Sequence, residues 1–375
     1  MKSVYKIGLA LLLIAGTALT VHAGDDVRRE FTKTIKKEFD ISANGTTAIY
    51  NKYGKVDIKT WDRNRVKVDV TIIVNASSES AAQKVFDRIN INFYNKSDYV
   101  KAETQIEPYK KEWWDWSSGN KSDYSINYEV FLPATNNLEL ANKYGDTYVA
   151  SLSGRVNVDI KYGNIKMQGV NNNAKVVLAY GNGSLGSAQN ISGDIAYAKL
   201  DCGDVKDVEF VSKYSRINLD KAENILASTK YDTYEISQAK EFRNEGKYDN
   251  IRLGSVQDVI INSKYTNVSV EKLGNLLDLN MSYGGASVGA IGKNFTSVNL
   301  VGSYTDFKLG VESGANFKLD ATATYAGIYY PSALSVSKEI EKGSSHEVQG
   351  HLGSQNARGT ITARLNHGGL KVKQE

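Results

Sequence analysis

Tyrosine recurs along most of this chain at a nearly constant interval, and that periodicity leaves few folds open. Tyr144, Tyr162, Tyr180, Tyr197, Tyr214, Tyr231, Tyr248, Tyr265 and Tyr283 follow one another at 17 or 18 residues, and Tyr304 and Tyr325 at 21. Lys precedes many of them, at Lys143, Lys161, Lys213, Lys230, Lys247 and Lys264. An isolated earlier copy, Asn51-Lys52-Tyr53-Gly54, matches Asn142-Lys143-Tyr144-Gly145. The apolar residues keep phase with the tyrosines: Ile217, Leu219 and Ala222 stand three, five and eight residues after Tyr214, and Ile251, Leu253 and Val256 stand likewise after Tyr248. Polar residues fill the gaps, which is the period of a half-buried strand. A second alternating run leads into the next tyrosine, as in Val158, Ile160, Tyr162 and Leu279, Met281, Tyr283. Such units are too short for a βαβ crossover or a propeller blade. The remaining solution is an all-β parallel β-solenoid (β-helix) with coils of ~17–21 residues, stacked ~4.8 Å apart around one shared core. Regular coils are predicted over 141–335, with 336–375 as a C-terminal coil or cap.

Strand parity places each tyrosine in phase with the inward residues two and four positions before it. The tyrosines are therefore predicted to face inward at a corner, as a structural ladder of stacked rings. The alternative is an exposed aromatic platform for sugars. Lys at the preceding position faces out by the same parity, as a solvated ladder that discourages edge pairing or as a basic stripe for anionic glycans.

The chain begins with a secretory signal. Lys2 and Lys6 precede an apolar run over 7–21, and Val21-His22-Ala23 supplies small residues for cleavage, so 1–23 is read as a signal peptide. No later stretch is apolar enough to span a membrane, and losing Lys2 and Lys6 lowers the formal charge from +4 to +2. A nearly neutral exported protein without a basic block argues against a nucleic-acid partner. One cysteine, Cys202, excludes an internal disulfide framework and any thiolate metal cluster, and its phase predicts a buried small hydrophobe.

Residues 24–140 read as an irregular β section that caps the solenoid, with one inserted helix over 77–90 whose apolar face is Ala82, Val85, Phe86 and Ile89. A Trp-rich loop occupies 109–121. Trp113, Trp114 and Trp116, with Lys110, Lys111 and Lys121 around them, form the candidate binding site. The bland reading has them packed along the solenoid flank. No phosphate loop, nucleophile elbow or zinc signature occurs, so no catalytic residue, metal or cofactor is assigned. His346, His351 and His367 match no metal spacing, and Asp201, Asp204 and Asp207 read as a solvated corner.

The stretch 128–149, YEVFLPATNNLELANKYGDTYV, together with 51–62, NKYGKVDIKTWD, and the inserted helix, resembles the secreted bacterial "putative adhesin" domain family over about 38–330. The resemblance implies a right-handed solenoid, export in a Gram-negative envelope and no catalytic residues. The expected function is a non-enzymatic, adhesin-like binding or scaffold protein at the periplasm or cell surface, with a glycan or envelope protein as partner. The alternative is a carbohydrate-active enzyme of the polysaccharide-lyase type.

Overall fold

The structure is a computed structural model that describes residues 28–108 and 123–375. The signal segment and the Trp-rich loop, with Trp113, Trp114, Trp116, Lys110, Lys111 and Lys121, lie outside the described residues. The described chain is an all-β β-solenoid with one helix. It divides into two compact units after Val170.

The first unit contains β1 (Arg29–Asp40), β2 (Thr46–Lys52), β3 (Val56–Trp61), β4 (Arg65–Ala76), α1 (Glu79–Phe86), β5 (Ile89–Lys96), β6 (Tyr99–Ile106), β7 (Asp123–Pro133), β8 (Asn137–Lys143), β9 (Thr147–Val149), β10 (Val156–Lys161) and β11 (Ile165–Met167). Two parallel stacks run side by side: β6, β2, β8, β10 on one face and β7, β3, β9, β11 on the other. The β2–β3 coil is thus second in its stack, with β6 and β7 outside it. Antiparallel β4, β1 and β5 complete this end. Ser78 caps α1, its hydroxyl accepting from the Ala81 amide at 3.2 Å, and Ala82, Val85 and Phe86 are buried. The helix is shorter than predicted because Ile89 belongs to β5, opposite Ile106 of β6.

The second unit begins within β12 (Val170–Ala179) and continues through β13 (Asn182–Ala196), β14 (Lys199–Lys213), β15 (Arg216–Lys230), β16 (Thr233–Lys247), β17 (Asn250–Lys264), β18 (Asn267–Ile291) and β19 (Ser297–Val311). It ends with β20 (Phe317–Thr324), β21 (Ile328–Tyr329), β22 (Ser335–Lys342), β23 (Ser345–Leu352), β24 (Gly359–Asn366) and β25 (Leu370–Gln374). From β13 to β17 each strand pairs in parallel with the next at a 17-residue offset, as Lys199 with Arg216 and Lys230 with Lys247. The in-phase apolar residues point inward. Ile217, Leu219, Ala222, Ile225 and Ala227 of β15 are all buried, as is Cys202.

The tyrosines do not point inward, and this corrects the parity argument. Tyr53, Tyr144, Tyr162, Tyr180, Tyr197, Tyr214, Tyr231, Tyr248, Tyr265, Tyr283 and Tyr304 are 41–50% exposed, and Tyr325 is 65% exposed. Alternation between faces holds only while every residue is extended. Each of these tyrosines adopts a left-handed backbone, with φ between 51° and 62°. The chain turns there, so the side chain is thrown outward and the following residue inward: Ser215, Asp232, Asp249 and Thr266 are buried.

Chain order fails at the C-terminus. β24 lies between β19 and β20, parallel to both, and β25 lies likewise between β19 and β21. The final strands fill a slot between two earlier coils. Beyond them, β23 pairs antiparallel with β20, and β22 pairs with β23. Every residue of β22 is exposed, and Lys338, Glu339, Glu341 and Lys342 make that edge poor for pairing with another chain.

Candidate functional site

In the second unit the rings from Tyr180 to Tyr304 form an unbroken stack. Neighbouring centroids are 4.6–5.1 Å apart and the planes lie within 8°. Aromatic faces in contact sit roughly 3.5 Å apart, so each ring is slid across its neighbour by about 3 Å. The rings overlap like tiles, and each remains 41–50% exposed.

The inserted C-terminal strands extend this stack. His367 lies between Tyr304 and Tyr325, at 4.5 and 4.8 Å, with the same left-handed backbone (φ 54°). The sequence does carry a signal for it: Leu370 and Val372 follow His367 at the same three- and five-residue phase and are buried. In the first unit Tyr53, Tyr144 and Tyr162 stack at 5.1 Å. Tyr124 closes that stack edge-on against Tyr53 at 70°.

Glycine follows the tyrosine in the first unit for a steric reason. A Cβ on Gly145 would collide with the carbonyl of Gly54, and one on Gly163 with that of Gly145. In the second unit Gly284 follows Tyr283 for the same reason, facing the Thr266 carbonyl, whereas the corners after Tyr214, Tyr231, Tyr248 and Tyr265 are held by the buried polar groups of Ser215, Asp232, Asp249 and Thr266. The Tyr214 amide donates to the Lys230 carbonyl at 3.0 Å, and Tyr231 donates to Lys247 at 3.1 Å. Asp232 accepts from the Ser215 amide at 2.7 Å, the Lys230 amide at 3.0 Å and the Ser212 hydroxyl at 2.8 Å. Asp249 accepts from the Asp232 amide at 2.8 Å and the Thr229 hydroxyl at 2.7 Å. Burial pushes the Asp232 carboxyl up to about 6 against these donors, with the charge of Asp249 adding to the rise. Asp249 is raised for the same first reason. Burial likewise pushes the Cys202 thiol up to about 12, which leaves it unreactive.

Cations flank the rings. Lys213, Lys230, Lys247 and Lys264 occupy one register position on four successive coils, each exposed beside its tyrosine. The Lys230 ammonium lies 5.5 Å from the Tyr231 ring centre. On the other side of the rings, Lys199, Arg216 and Thr233 line an open groove of about 660 Å³ against Tyr197, Tyr214 and Tyr231.

The remaining polar candidates are accounted for locally. Asp201 pairs with Lys199 at 2.8 Å and accepts from Asn218, while Asp207 accepts from Asn224. His346 contacts Glu339 at 3.1 Å. Among the described residues no group of three His, Cys, Asp or Glu side chains is placed to hold a metal ion. None of the described helices is long and apolar enough to cross a membrane.

No family model matches the chain, and no curated protein matches it. Solved structures do. A protein described as a putative cell adhesion protein from Clostridium sporogenes ATCC 15579 is similar over 92% of this chain and 100% of its own, at 11% identity and a TM-score of 0.18. A putative adhesin from Parabacteroides distasonis ATCC 8503 is similar over 74% of this chain and 93% of its own, at 13% identity and a TM-score of 0.25. A putative adhesin from Bacteroides fragilis NCTC 9343 is similar over 91% and 97%, at 10% identity and a TM-score of 0.19. These neighbours bear the same label as the family whose motifs the chain resembles. At such TM-scores they carry no argument about what this chain binds.

Proposed function

We propose that the chain is an exported, non-enzymatic β-solenoid, an adhesin-like binding or scaffold protein of the cell envelope, and that the outward tyrosine ladder is its contact surface. Its coils are right-handed and 17–21 residues long. The repeated 17-residue register supports the length, and the family resemblance supports the hand. One observation carries the binding role. Every tyrosine of the ladder combines a left-handed backbone, which favours Gly or Asn, with a side chain left at least 41% exposed. A repeated exposed aromatic with adaptable polar neighbours has the composition of a contact surface. Trp113, Trp114 and Trp116 with Lys110, Lys111 and Lys121 supply a second contact segment toward a glycan or an envelope protein.

The test is a glycan-array comparison of the protein with its Tyr214→Asn/Tyr231→Asn/Tyr248→Asn variant. Asn tolerates the left-handed backbone, so the coils stay folded by circular dichroism. The expected result is loss of array binding in the variant. Undiminished binding would remove the ladder from the site. A polysaccharide returned at shortened chain length would favour the lyase reading.

A further inference from the structure

Resting on the reading of the ladder as a contact surface, we infer that its ligand is a linear polyuronate, a polysaccharide with one carboxylate on each sugar ring, laid along the stacked coils over Lys213, Lys230, Lys247 and Lys264. Three observations carry this.

The first is charge. Between the position before each tyrosine and the position two after it, the coils from β14 to β18 expose Lys199, Lys213, Arg216, Lys230, Lys247 and Lys264, and no exposed carboxylate. The carboxylates of Asp232 and Asp249 lie beneath, buried and bonded to backbone amides and hydroxyls. Lys199 and Arg216 meet the carboxylates of Asp201 and Glu235, at 2.8 and 3.9 Å, so the unneutralised charge is that of the four lysines before the tyrosines, with Asp194 and Glu245 three residues before theirs.

The second is repulsion. After the tyrosines on the same coils a lysine or arginine meets a carboxylate, as Lys199 meets Asp201 and Arg252 meets Glu235. Among the described residues the four ladder lysines form no such ion pair, although they stand directly above one another on paired strands. Like charges at opposed positions of a sheet are destabilising. An anion lying between successive ammonium groups removes that cost, so the row is better suited to the bound state than to the free one.

The third is spacing. The rings beside these lysines repeat at 4.7, 4.6 and 4.8 Å. A hexuronic acid advances its polymer by about one such step and turns relative to its neighbour, so the carboxylates on the face toward the protein meet every second or third ammonium group while the rings between them lie over the tyrosines. The tyrosine hydroxyls donate to ring oxygens and hydroxyls, and the exposed parts of the rings meet sugar C–H groups.

The experiment measures binding of polygalacturonate by the purified protein at several salt concentrations. Its fully methyl-esterified form, with the same backbone and no charge, is the control. The expected result is binding of the acid and not the ester, with affinity falling as salt rises. Replacing the ladder lysines by Gln at 213, 230, 247 and 264 weakens it at least ~10-fold and flattens the salt dependence. A charge-matched variant with Gln at Lys206, Lys221, Lys240 and Lys272, away from the ladder, retains it. Equal losses in both variants would overturn the site. Preference for polyphosphate over polygalacturonate would overturn the ligand class. If a neutral glycan binds and only the triple Tyr→Asn change abolishes it, the polyuronate inference fails while the ladder reading stands. If neither ladder variant alters binding of any probe, both fall.

Discussion

A non-glycine residue in the left-handed region gives up about 1–2 kcal/mol, and one tyrosine per coil does so here. Two stacking contacts, each about 0.5–1.5 kcal/mol, offset that cost for every ring inside the ladder. Tyr231→Ala is therefore expected to destabilise by about 1–3 kcal/mol, well short of a buried aromatic truncation. Tyr231→Gly removes the same ring but relaxes the backbone, so it should be less harmful than Ala by about 1 kcal/mol. β-branched Val should be worse than either, and Lys230→Ala should cost under ~0.5 kcal/mol. Urea melts give the order, and Gly falling below Ala would contradict the left-handed corner.

The carboxyl beneath the ring adds a pH dependence of definite sign. Asp232 titrates near 3.8 when unfolded and at about 6 when folded. Between these values the folded chain holds the proton more tightly. The contribution is thus full below about pH 4 and is lost as pH rises through 6, on the order of 3 kcal/mol. Asp232→Asn removes this titration, so wild-type stability relative to the variant should decline from pH 4 to pH 7 in paired denaturant melts. A difference that rises with pH would contradict the buried carboxyl.

At the scale of the strand, the inward residues were legible because Ile217, Leu219 and Ala222 repeat with period two and a fixed phase to the tyrosine. The direction of the tyrosine was not legible. Counting alternate residues assumes extended backbone throughout; the apolar positions change from even offsets before the tyrosine, as Val158 and Ile160 before Tyr162, to odd offsets after it, as Ile217 and Leu219 after Tyr214, which marks a break in the count but not which residue makes it. The Lys-Tyr pairing that marks the candidate surface was visible, but its exposure needed the corner geometry. His367 escaped because residue type drew attention to tyrosine, while Leu370 and Val372 already kept the phase of a ladder position. The coil as an interchangeable element yields its own test. Deleting 214–230 joins Lys213 to Tyr231 in unchanged phase, and should leave a soluble β-rich protein with a somewhat lower melting temperature. Deleting half of that length exchanges inward and outward faces and should prevent folding. Equal damage from both would contradict stacked equivalent coils.

In each unit, one coil is out of sequence order. In the first, β2 and β3 lie inside β6 and β7; in the second, β24 and β25 lie inside β20 and β21. Local patterning does not encode such long-range insertions; the match of Asn51-Lys52-Tyr53-Gly54 to Asn142-Lys143-Tyr144-Gly145 marked β2 as a partner of β8, but not that β6 and β7 would lie outside it. The insertions bury strands close to the chain's end that would otherwise fray. Removing 354–375 leaves β19 and β20 with facing unpaired edges, so this truncation should lower the melting temperature more than deletion of a whole coil and promote aggregation.

The claim on which the rest depends is that the ladder faces solvent. Hydroxyl-radical footprinting of the folded protein tests it within one coil by comparing Tyr231 with Tyr234, three residues away and wholly buried against Phe242 and the Ser212 hydroxyl. Oxidation of Tyr231, Tyr214 and Tyr248 with Tyr234 protected is the expected result. Protection of Tyr231 to the level of Tyr234 would return the ladder to the core and contradict the account.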